Sequence, residues 1–82
     1  MRSLSQIAME IKRNWKSPYH GALPYISAMR QCHTLSDTYG ADTAYEMVSY
    51  FLANCGTWRG QEARKIKGEL KDMIREYDKK HK

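Results

Sequence analysis

A chain of 82 residues with 41% hydrophobic and 28% charged side chains makes one small globular domain rather than a disordered segment. Two prolines and five glycines leave little room for long irregular stretches, and an alphabet rich in Ala, Met, Lys, Glu and Arg favours helix. The opening MRSLSQIAMEIK lacks the continuous apolar run of a secretory signal. The most apolar run, Tyr50 to Ala53 with Met47 and Val48 just before it, is too short to span a bilayer. The expected setting is therefore cytoplasmic, with no membrane contact and with Cys32 and Cys55 as reduced thiols on separate helices, each a small buried apolar group.

The net charge of +5 is uneven. Residues 1–17 sum to +3, residues 18–56 to −2 and residues 57–82 to +4. A partner drawn by positive potential should approach the terminal helices.

The first helix is expected over residues 3–16. Ser3-Leu4-Ser5-Gln6 matches a capping box, and Leu4, Ile7, Ala8, Ile11 and Trp15 follow at helical spacing. Pro18 ends it by disfavouring the α conformation at Ser17. A second helix is expected over 22–33, with Pro24 in its first turn and a stripe of Ala22, Tyr25, Ile26, Met29 and His33. Thr34 to Gly40 reads as a connector. Asp42 should cap a third helix over 42–55, whose apolar face is Ala44, Val48, Phe51, Leu52 and Cys55, and Gly56 should close it in the left-handed conformation.

Thr57 is the expected cap of a last helix over 58–80, with Lys79 to Lys82 frayed. Its Ala63, Ile66, Leu70, Met73 and Tyr77 form an a/d seam about two heptads long, with Ile74 beside it. Such a seam packs inside a bundle or joins two copies, so monomer and homodimer are both open. The resulting fold class is all-α: a compact bundle of about four helices with a long basic amphipathic C-terminal helix.

That last helix sorts its charges. At 100° per residue, Arg64, Lys67, Lys71, Arg75, Lys79 and Lys82 fall in a sector about 120° wide, interrupted by Asp78. Glu62, Glu69, Asp72 and Glu76 gather in another sector, with Lys65 among them. A helix built for solubility alone mixes signs through i,i+4 pairs. The sorted helix offers a positive ridge for phosphates or an acidic protein surface, with an acidic face as the alternative. A solvated surface sorted by chance would look the same.

Between the third and fourth helices, Trp58 reads as a core side chain closing one end, and Arg59 as the exposed residue available to a partner. A DNA-reading helix-turn-helix is disfavoured here. With Gly56 as the turn glycine, Leu52 stands where a small residue is needed, and Glu62 where an apolar one is. His20, Cys32, His33, Cys55 and His81 have no metal-ligand spacing, no glycine-rich phosphate loop occurs, and no histidine is patterned beside either thiol. The expectation is a non-enzymatic chain without metal or cofactor.

The segments Tyr50-Phe51-Leu52-Ala53-Asn54 and Thr57 to Leu70 (TWRGQEARKIKGEL), with Leu4 to Trp15 and the Ala22-x-Pro24-Tyr25 step, resemble small helical accessory proteins of bacteriophages and mobile elements. The resemblance covers most of the chain and transfers no functional residue. It implies a protein that binds a host macromolecule, a protein or ribonucleoprotein, to block a defence nuclease or redirect transcription. An anti-CRISPR inhibitor is one concrete version. Many such inhibitors mimic DNA with acidic surfaces, which this basic chain does not resemble except along Glu62, Glu69, Asp72 and Glu76. The alternative is an accessory protein that binds nucleic acid without sequence preference through the basic stripe.

Overall fold

The computed structural model describes residues 2–81, which form four helices and one short hairpin. Helix α1 is Leu4–Asn14. Ser3 caps it with the expected capping box: its hydroxyl accepts from the Gln6 N–H, and the Gln6 side chain accepts from the Ser3 N–H. The helix ends two residues before the predicted boundary. Trp15 adopts an extended backbone (φ −100°, ψ 92°) and turns its ring to stack on Trp58 and meet Phe51 edge-on.

A 3-10 turn, His20–Ala22, leads into α2, Leu23–Met29, with Pro24 in its first turn as expected. Helix α2 stops short of residue 33. The Gln31 and Cys32 N–H groups bond three residues back, and the Asp37 carboxylate takes the N–H groups of His33 (2.7 Å) and Thr34 (3.2 Å). These bonds draw the backbone out of the helical ladder, so His33 lies in an exposed turn and not on a helical stripe.

The connector is not wholly irregular. Strands β1 (Thr38–Tyr39) and β2 (Asp42–Thr43) pair antiparallel, Thr38 opposite Thr43 and Tyr39 opposite Asp42, around Gly40 at φ +66°. Asp42 is thereby held in the ladder, and the cap of α3 (Ala44–Ala53) is Thr43 in a second capping box with Glu46. Gly56 is not left-handed, because the turn after α3 closes through Asn54 N–H to the Phe51 carbonyl and Trp58 N–H to that of Cys55. Both cysteines thus sit in turns just beyond their helices, buried and unpaired.

Helix α4 is Gln61–Lys80. Thr57 does not cap it. Trp58 is buried against Trp15, which removes it from any first turn, and the chain reverses at Gly60 with φ +112° before the helix begins. Its C-terminal end, Lys80, is the expected one; Lys82 lies outside the described residues.

Helix α1 packs on α2 and α4, and α3 packs on the same two helices. The core between them includes Leu4, Ile7, Ile11, Met29, Val48, Phe51, Ile66 and Leu70. Arg2 reaches Glu69 while Trp15 reaches Trp58, so α1 and α4 run in opposite directions. The Ala63, Ile66, Leu70 and Met73 seam is buried inside this bundle, which leaves none of those four side chains to join two copies.

Candidate binding faces

The basic sector of α4 survives as a direction on the helix but not as a row of equivalent charges. Arg64, Lys71 and Lys79 are exposed and belong to no ion pair among the described residues. Lys67 is half-buried, and its ammonium donates to the Trp58 carbonyl, so it fastens the α3–α4 connector to α4. Arg75 pairs with Asp72 one turn back (3.1 Å), both side chains about two-thirds exposed at 69% and 67%. That contact joins the edges of the two sectors and blunts the positive stripe there. Asp78, the acidic interruption, accepts a hydrogen bond from the Tyr45 hydroxyl at 3.0 Å, which raises the phenol's pKa. Arg59 is exposed, as expected, directly after the buried Trp58.

The acidic sector is also divided. Glu62 and Glu76 are exposed, Asp72 is joined to Arg75, and Glu69 is half-buried under the Arg2 guanidinium (2.6 and 3.0 Å). The hydrogen bonds from Arg2 hold the Glu69 carboxyl below the usual carboxylate range. The same guanidinium pairs with Glu10, so Arg2 ties α1 to α4, and the two carboxylates raise its own pKa further.

A second positive region has no counterpart among the expected site residues. Lys12, Arg13, Lys16 and Arg30 are all exposed and gather where the C-terminal half of α1 meets α2. Between the helices lies a groove of about 410 Å³, with Lys12, Lys16 and Arg30 at its edge and Trp15, Leu23 and Ile26 among its apolar lining. A shallower depression of about 270 Å³ continues past Lys12 and Arg30 to Arg13 and Met9. The +3 charge of residues 1–17 was a partial signal, but Arg30 is the lone base of an otherwise acidic stretch, and only packing brings it beside α1. The Trp15–Trp58 stack, with ring centroids 5.5 Å apart, also sets Lys16 and Arg59 on adjoining segments at one end of the molecule.

A further cleft, about 400 Å³, lies between the last turns of α4 and the turn after α2, and His33, Ser36, Glu76, Tyr77 and His81 are among its lining. The His81 ring stacks on Tyr77 at 3.9 Å, and its Nδ1 lies 2.9 Å from the Tyr77 carbonyl, so it is held against its own helix. Among the described residues no three His, Cys, Asp or Glu side chains are grouped to hold a metal ion. Both thiols are pushed up by burial, Cys32 further by Asp37, whereas Lys67 and Lys71 partly offset the shift at Cys55. No helix among the described residues is long and apolar enough to cross a membrane.

No protein-family model, no curated protein and no solved structure matches this chain, so its own surfaces are what bear on function.

Proposed function

We propose that this chain is a non-enzymatic, phage-type accessory protein that binds a host protein or ribonucleoprotein, with a defence nuclease as the target class, through the positive side of α4. The observation that carries the reading is the row of Arg64, Lys71 and Lys79, exposed along one side of the helix and without carboxylate partners among the described residues. Buried thiols with raised pKa values support binding over nucleophilic chemistry.

The same row would serve a nucleic-acid backbone, with Arg59 as a fourth cation. The number of cations supports the protein reading. Four phosphate contacts give a salt slope of only about −3.6 on duplex DNA, a weak grip at physiological ionic strength. An acidic protein surface adds shape and apolar contact to the same charges.

The test is affinity capture from bacterial lysate with cross-links mapped on this chain. The expected result is a stoichiometric protein complex cross-linked at Lys71 and Lys79 and lost when Arg64, Lys71 and Lys79 are together replaced by Glu. Capture that survives this reversal overturns the role of α4. Tight binding to labelled DNA or RNA at physiological salt, without any captured protein, favours the nucleic-acid reading instead.

A further inference from the structure

The groove between α1 and α2 lies outside the α4 face just described, and its chemistry selects a different kind of contact. We propose that it docks an acidic segment of a partner protein that inserts a large apolar side chain between the two helices. The edge is positive: Lys12, Lys16 and Arg30 border the groove, Arg13 extends the charge, and no carboxylate lines either depression. The acidic residue of α1, Glu10, is engaged by Arg2. Nothing among the described residues neutralises these four cations within ion-pair distance, so a partner's carboxylates meet them without displacing an internal pair.

The floor argues for a protein rather than a nucleic acid. Trp15 and Ile26 are buried at its base, and Leu23 stands 45% exposed beside them. Single-stranded nucleic acid needs ring faces on which bases stack. The Trp15 ring offers none, because the side chain is buried (6% exposed) and Trp58 lies nearly parallel against it (15°). Tyr19, the exposed aromatic nearby, lies with its ring tilted against His20 at 5.1 Å and close over Gly21, where an added Cβ would fall 2.5 Å from the ring. An aliphatic anchor needs no ring face. A space of about 410 Å³ with an apolar floor is at the lower end of the range for sites that enclose a ligand group, roughly 300–1,000 Å³. Carboxylates flanking the anchor then reach Lys12 and Lys16 on one wall and Arg30 on the other, which fixes the segment along the groove.

Isotope-labelled protein titrated with short synthetic helical peptides tests this by amide chemical shifts. The probes are a peptide alternating Glu and Leu at helical spacing, the same peptide with Leu replaced by Ser, and oligo-dT of similar charge. The Glu/Leu peptide is expected to bind saturably, with shifts centred on Lys12, Lys16, Leu23 and Arg30, and at least about tenfold more tightly than either control. Leu23→Glu and Arg30→Glu, both at exposed positions, should each weaken it about tenfold with an unchanged helical spectrum. The Arg64, Lys71 and Lys79 reversal should leave it intact, so failure here is separable from failure of the α4 reading. Absence of saturable binding, shifts centred elsewhere, or equal affinity for the Ser peptide or oligo-dT overturns the proposal.

Discussion

Lys67 shows how one contact changes the role of a charged residue. By angle it belongs to the basic stripe, at the border with the apolar seam, where a long side chain can lie along the core and turn its ammonium back to the backbone. It does so onto the carbonyl of Trp58, a residue whose ring is in the core and whose backbone has left helical geometry. Without that ammonium the carbonyl loses its charged donor. Lys67→Met keeps the apolar stem and removes the donor, so urea unfolding should give a loss of about 1.5 kcal/mol, the lower end of the range for charge-assisted bonds because the site is only half-buried. Lys71→Met, on the exposed part of the stripe, should leave stability within about 0.5 kcal/mol. Equal effects from the two substitutions would show that the Trp58 contact is not what sets Lys67 apart.

At the scale of elements, the glycines at either side of the α4 start separate local geometry from helix propensity. Gly60 sits at φ +112° with open space around an added Cβ, so Gly60→Ala meets backbone strain and no clash, with an expected cost of about 1–3 kcal/mol. Gly68 lies in the exposed middle of α4, also with open space, and Gly68→Ala should stabilise by about 0.5–1 kcal/mol by removing the propensity penalty of glycine. Thermal unfolding of the two variants should move the midpoint in opposite directions. Midpoints moving the same way would contradict the assigned backbone at Gly60. The same contrast explains what the sequence made legible. Apolar spacing located four helices and nearly all of the core, because a 3.6-residue period reports which face is buried. Helix ends were misplaced where a long-range contact competes with local signals: Trp15 and Trp58 leave their helices to stack on each other, and Asp42 is held by Tyr39 across the hairpin. Ser3, whose capping partner is three residues away, was readable.

On the whole-molecule scale, α4 is about 30 Å long at 1.5 Å per residue, close to the 34 Å long axis of the protein, so it presents its surface from one end to the other. The charge sorting along it was legible because it depends only on helical angle. Which charges are engaged was not, since Arg2, Trp58 and Tyr45 reach α4 from other parts of the chain. The Lys12, Arg13, Lys16 and Arg30 cluster was hidden for the same reason, being a product of how α1 lies on α2.

Arg2 has a global consequence because its guanidinium joins α1 to α4 through Glu10 and Glu69, and so resists separation of the first helix from the last. The Glu69 carboxyl is held below its ordinary range by Arg2, and the Asp37 carboxyl by the N–H groups of His33 and Thr34. A carboxylate whose folded pKa is depressed binds fewer protons when folded than when unfolded. Its stabilisation is therefore complete above the unfolded value, about 4 for Asp and Glu, and is lost as pH falls through the lower folded value. Stability should thus be level through neutral pH on account of these two groups and decline below about pH 4. Arg2→Gln removes the cause of the Glu69 shift while leaving Asp37 untouched. The variant should lose stability at neutral pH and show a shallower acid decline, so that the two curves converge toward low pH. Urea midpoints measured from neutral to acid pH read this directly. Parallel curves would mean that the guanidinium does not favour the ionised form of Glu69 in the folded protein, and the link between α1 and α4 would then rest on apolar packing alone.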